Sequence, residues 1–352
     1  MAYTTINKSS DYFNTKLYTG NATNPTTISG IGFQPDLVWT KLRAGGTEGH
    51  RLCDSVRGVT KDLLSNDTSG ELTNTIGLKS FNSDGYVIGN SNGYNFNNGT
   101  FASWNWKAGT TGSGTTTGAG TGKAYSYSVN TTSGFSIVTY LGNGTEDHTI
   151  PHHLGVAPKM YIVKKRNGAD SWITYHDGLG GADKYILLNT TAAVGTSNNP
   201  WGTVVPTSSV NNLGSAGDTN GNDDSFIMYS FAEKSGYSSM GQYTGNGNVD
   251  APFVYTGFKP GWLLVKDTGG SGEGWELKDS KRSTFNVVDK RLRADNSNVE
   301  STGSNYYVDF LSNGFKVRTS DNATNQLSAT YIYMAFAEAP LVGTNNVPAT
   351  AR

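Results

Sequence analysis

Three lysine–aspartate pairs recur at one interval: Lys41 with Asp54, Lys164 with Asp177, and Lys266 with Asp279. Each lysine lies six positions after a proline (Pro35, Pro158, Pro260) and thirteen before its aspartate. Such a pair could be functional. At the two ends of a hairpin it could equally form a cross-strand ion pair or cap a turn. Its presence in every copy favours the structural role, since ion-pair networks also occupy such positions. A second candidate is the loop Asp218, Asn220, Asn222, Asp224, which sets oxygen ligands at alternate positions as calcium loops do. The EF-hand pattern fails, because Gly221 comes too early and no Glu sits twelve positions along. A solvated turn is the plainer reading, with calcium as the only cofactor expected, if any. Tyr94, Asn95, Phe96 and Trp201 sit among Asn, Gly and Pro, where rings beside amides could bind a glycan. Rings pinning loops onto the fold is the competing reading. Adjacent His152 and His153 would face opposite ways on a strand and cannot chelate one ion. No Ser stands in a nucleophile-elbow context near His50 or His176. Cys53 has the setting of a buried, inert thiol. A glycosidase needs two carboxylates in one cleft, and the repeated aspartate supplies one per copy. No catalytic residue is assigned, and the chain is expected not to be an enzyme.

The elements that must position these residues are repeats. Around each lysine stands a similar run: Gly32-Phe33-Gln34-Pro35-Asp36-Leu37-Val38-Trp39, Gly155 to Val163, and Gly257 to Val265. Upstream lies Tyr-x-Gly-Asn at 18–21, 140–143 and 243–246, and each copy closes on an aromatic strand ending in Ala at 108, 232 or 337. Short apolar runs joined by Asn-Gly and Asp-Gly turns predict strands and hairpins. With 45 Gly, 16% charged residues, and 7 Trp, 19 Tyr and 14 Phe, the composition excludes both a helical protein and a disordered one. The expected fold is all-β: three tandem β-sandwich modules, jelly-roll or lectin-like, at 1–108, 125–236 and 237–340. The Gly/Thr/Ser run at 109–124 predicts a flexible linker hinging the first module, and 341–352 a loose tail.

A net charge of −1 without a basic block argues against nucleic acid. No apolar stretch reaches the length of a membrane span, and the start lacks a signal pattern. One Cys excludes an internal disulfide.

The assembled pattern resembles a domain recurring in virion proteins of marine tailed bacteriophages. Its marks here are Tyr18-Thr19-Gly20-Asn21, the Gly-Phe-x-Pro-Asp-Leu-Val-Trp-x-Lys run at 32–41, Asp54-Ser55-Val56-Arg57-Gly58, the turn at 84–86, and Trp104-Asn105-Trp106-Lys107-Ala108. The first copy matches best, the others loosely. The resemblance implies a concanavalin-like sandwich in a virion structural protein, a tail fibre or spike binding other virion proteins and host surface glycans. A homo-oligomer, such as a trimer, is expected. A capsid decoration protein is the alternative, and a glycan-degrading tailspike the second.

Overall fold

The structure, a computed structural model, describes residues 4–270 and 272–339. The tail read at 341–352 lies outside the described residues. Among the described residues the chain is all-β, its helices limited to single turns such as Asn92–Asn95, Gly217–Asn220 and Asn322–Asn325.

One strand order occurs three times. In the first copy the opening strand Phe13–Thr19 pairs with the closing strand Thr100–Trp106. That strand pairs with the lysine strand Leu37–Ala44, which pairs with Arg51–Asp54. The second copy repeats this with Phe135–Leu141, Ser225–Phe231, Met160–Lys165 and Ile173–His176. The third uses Ser238–Thr244, Thr330–Ala339, Lys259–Asp267 and Glu276–Asp279. Every pairing is antiparallel. A smaller sheet covers one face of each: Thr26–Ser29, Gly85–Ile88 and Leu78–Asn82 in the first copy, His148–Pro151 and Val210–Leu213 in the second, Phe253–Tyr255, Gly314–Val317 and Val308–Leu311 in the third.

The side-chain period of two explains why the large-sheet strands read as unbroken apolar runs. Val163, Phe226 and Met228 point toward their own small sheet and pack on Ile150 and Leu213. The alternate residues Ile162, Ile227, Tyr229 and Phe231 point the other way, into one core shared by all three copies. Trp39, Trp104 and Trp106 enter it from the first copy, and Trp262, Leu264, Met334 and Phe336 from the third. The last core residues of the three closing strands meet there. The ring centres of Trp106, Phe231 and Phe336 form a triangle with sides of 5.8, 6.2 and 6.3 Å. This triangle marks a pseudo-threefold axis within one polypeptide.

The expected flexible linker at 109–124 is corrected. Thr110–Thr115 is a strand on the edge of the second copy's large sheet, and Thr117–Gly118 pairs with His148–Pro151 in the small one. The glycines are there for space: a Cβ on Gly112 would lie 2.6 Å from the Tyr127 hydroxyl, and one on Gly114 2.9 Å from the Tyr125 ring. The first copy is therefore not hinged. It shares the central core with the other two.

Candidate functional site

The repeated chemistry gathers at the three boundaries between copies. In each copy a short extra hairpin follows the aspartate strand, formed by Lys61–Asp62 with Leu72–Thr73, Lys184–Leu187 with Gly195–Thr196, and Lys290–Arg293 with Ser301–Thr302. Its loop carries carbonyls to a neighbouring copy's lysine. Lys164 Nζ donates to Thr68 O at 3.0 Å, Lys266 Nζ to Thr191 O at 3.4 Å and Lys41 Nζ to Ser297 O at 3.1 Å. Copy two thus holds copy one, copy three holds copy two, and copy one holds copy three. A head-to-tail contact of this kind closes a ring when its rotation is about a third of a turn. The lysine side chains are fully buried. Burial lowers Lys41 and Lys164 to about 8, while carbonyls such as Leu42 O and Lys165 O, each at 2.8 Å, favour the ammonium.

A second cyclic bond runs beside the first. The residue preceding each aspartate strand, His50, Trp172 or Trp275, donates a ring N–H to Arg293 O, Leu64 O or Leu187 O of the neighbouring copy, at 2.9, 2.8 and 2.8 Å. His50 is the Nε2–H tautomer, because its Nδ1 accepts from Trp39 Nε1 at 2.9 Å.

The lysine does not pair with its aspartate. Asp54 and Arg57 form an ion pair with both side chains 0% exposed, and Asp279 and Arg282 form another. Asp54 Oδ1 accepts from the Val56 and Arg57 N–H groups, and Asp279 Oδ1 from those of Lys281 and Arg282. The remaining oxygens face a neighbouring copy: Tyr229 donates its hydroxyl to Asp54 Oδ2 at 2.7 Å, and Trp104 Nε1 donates to Asp279 Oδ2 at 3.1 Å. Glu71 then joins Arg57 to Arg166, and Glu300 joins Arg282 to Arg43.

Asp177 departs from this pattern. Leu37 pairs with Asp54 and Trp262 with Asp279, but Met160 pairs with His176. The second hairpin loop is one residue shorter, so His176 takes the aspartate's place and Asp177 falls outside. It forms a half-exposed pair with Lys159 at 2.6 Å. His176 donates Nε2–H to Tyr333 O of the third copy at 3.0 Å and accepts Gly178 N–H at Nδ1. Thr268 stands where Arg43 and Arg166 stand elsewhere; its C=O accepts from Val194 N at 3.0 Å, as theirs accept from Glu300 N and Glu71 N, but its hydroxyl donates to Thr330 O within its own copy. The boundary between copies two and three therefore lacks the Arg–Glu network.

Burial pulls His176 down to about 4 from its ordinary 6.5, with Tyr333 O and Asp177 opposing and Lys159 assisting. An unfolded chain takes up this proton near pH 6.5 and the folded one only near 4. Stability is therefore lost as pH falls across that window, by about 3 kcal/mol for this one group. Urea unfolding of His176→Gln should show a flatter decline between pH 6.5 and 4 than the parent. An equally steep decline would place the effect in other groups.

Three of the four glycan candidates are interior. Tyr94, Asn95 and Trp201 are all 0% exposed, which removes them as a glycan surface. Tyr94 donates to Asp62 Oδ1, and Trp201 packs edge-on against Tyr161 at 4.7 Å. Phe96 is half-buried over Gly45 and Gly46. Asn95, Asn220 and Asn325 are equivalent, each five residues before its closing strand. Their amide oxygens accept from the N–H of Asn21, Asn143 and Asn246, the asparagines of the three Tyr-x-Gly-Asn runs. The tyrosines of those runs donate to Tyr94 O, Thr219 O and Thr324 O.

The oxygens of the calcium candidate do not gather. Asn220 is fully buried in its asparagine role, Asp224 is held by Lys165 and Asn167, and exposed Asn222 donates to Asp223. Asp218 is half-buried with Oδ1 unpartnered, its carboxyl raised by burial and by Asp170. Among the described residues no three His, Cys, Asp or Glu side chains are grouped as metal ligands. Cys53 is fully buried, and burial pushes its thiol up. A 290 Å³ cleft at the seam of copies one and three has Glu338 as its one carboxylate. A 320 Å³ cleft beside Gly109 has only Asp36.

Neither a curated protein nor a solved structure matches the chain. Residues 8–340 match the family described as a domain of unknown function (DUF7483), nearly the whole repeat array, and the chain belongs to that family.

Proposed function

We propose that the chain is a non-enzymatic structural component of the exterior of a bacteriophage particle, of tail-fibre or spike type, serving attachment. The reading draws on the likeness of residues 11–108 to virion β domains. The observation that carries it is the closed ring. Lys41, Lys164 and Lys266, the pairs Asp54–Arg57 and Asp279–Arg282, and Trp172 and Trp275 are committed to holding three copies together, as a rigid scaffold requires. A glycan-contacting ring has to be exposed, and Phe285 is 84% exposed beside Ser283, Thr284, Asn286 and Lys259 around a 140 Å³ cleft. The pseudo-threefold ring also suits seating on a local threefold of a head lattice, which favours capsid decoration as the second reading.

Imaging of purified particles with the chain located separates the two. Density at the tail supports the appendage, and density following the head lattice supports decoration. Absence of the chain from purified particles would refute both.

A further inference from the structure

We propose that the free edge of the strand Phe253–Tyr255 is a docking site for an extended, uncharged, Gly/Thr-rich segment of another protein chain, added antiparallel as a further strand. The site lies in the third copy and stands whether or not the chain belongs to a virion.

The first support is the direction of the backbone groups. Val317 N donates to Pro252 O, and Thr256 N donates to Asn313 O. Pro252, Val254 and Thr256 therefore face the neighbouring strand Gly314–Val317, and the intervening Phe253 and Tyr255 turn their N–H and C=O outward. The sheet ends at this strand, with no described partner beyond it.

The second support is a precedent inside the chain. In the second copy the equivalent strand is His148–Pro151. Its edge is covered by Thr117–Gly118, with Thr117 opposite Thr149 and Gly118 opposite His148. The same edge is open in the first copy, where it carries exposed Thr27 and Ser29. One fold element thus occurs covered, open and polar, and open and aromatic.

The third support is the side chains. Phe253 is 44% and Tyr255 63% exposed, and no charge occurs from Ala251 to Phe258. Open edges are ordinarily guarded by shortness, proline, charged side chains, bulges or covering loops; this one is three residues long after Pro252, but it carries aromatic rings and no charge. The covering strands of copy two also indicate what fits. In Thr110–Thr115, Gly112 and Gly114 lie opposite Tyr127 and Tyr125, leaving room for the rings. An incoming strand should likewise place glycine opposite Tyr255, with backbone bonds giving affinity and the ring giving register.

The test uses the full chain and a synthetic peptide of its own residues 110–119 (TTGSGTTTGA) as probe, added to millimolar concentration, with amide hydrogen exchange as readout. The Phe253 and Tyr255 amides are expected to slow by at least about tenfold, and those of Thr27 and Ser29 by less than about twofold. Phe253→Pro removes an outward N–H without breaking a bond to Gly314–Val317, and Tyr255→Lys places a charge on the edge. Both should abolish the slowing. If Phe253→Pro unfolds the third copy, Tyr255→Lys alone decides. Unchanged exchange at both amides, or slowing that survives Tyr255→Lys, overturns the proposal. So does self-association of the chain that Tyr255→Lys removes, since the occupant would then be a second copy.

Discussion

Asp54→Ala and Asp279→Ala are each expected to destabilise the chain by about 3–5 kcal/mol, because each leaves a buried guanidinium without its counter-ion. The same change at Asp177 is expected to cost less than about 1 kcal/mol, as a half-exposed pair contributes little. The three aspartates look alike in sequence. The difference lies in what surrounds them: Arg57 and Arg282 have side chains 0% exposed, whereas Lys159 is 41% exposed. Deleting Asp54 also strands the Tyr229 hydroxyl across the boundary, and deleting Asp279 strands the Trp104 N–H. Replacing Asp54 and Arg57 together with apolar residues should recover much of the loss. Urea unfolding of the three single variants and the double variant measures all four values. Similar costs at all three aspartates would contradict the register assigned to His176.

The second large effect is expected at Trp106. Its ring lies within 6.5 Å of Phe13 and Trp39 in its own copy, Phe135 and Phe231 in the second, and Trp262 and Phe336 in the third. Trp106→Ala removes the side chain most shared among copies and leaves a cavity on the axis, at a cost of about 3–5 kcal/mol. The loss should lower the stability of all three copies together. An effect confined to residues 4–108 would show that the axis does not couple them.

Much of the fold was legible because the signals were local. Apolar runs such as Trp262-Leu263-Leu264-Val265 report strands covered on both faces, and the spacing from proline to lysine involves no loop of variable length: Pro35 and Pro158 stand two residues before the lysine strand and Pro260 stands at its start. What escaped were relations that cross a loop or a boundary. Counting thirteen residues from Lys164 reached Asp177 because loops gain and lose residues freely, whereas strand pairing, which sets the position, selects His176. The run at 109–124 has a linker's composition, yet its glycines serve the rings of Tyr125 and Tyr127 on the next strand. Tyr94 and Trp201 stand among loop-forming residues, but partners remote in sequence bury them: Asp62 for one, Tyr161 for the other. The buried asparagines were within reach, since all three stand five residues before a closing strand. Asn95 and Asn220 stand in loops whose compositions suggest different ligands, a glycan and a calcium ion, and this hides their equivalence.

The ring itself predicts one unfolding event. Scanning calorimetry of the intact chain should give a single transition, with calorimetric and van't Hoff enthalpies equal, because no copy can leave without opening the shared core. Two or more transitions, with residues 4–108 losing exchange protection first, would mean that the copies are separate bodies on a string and that the axis at Trp106, Phe231 and Phe336 does not hold them.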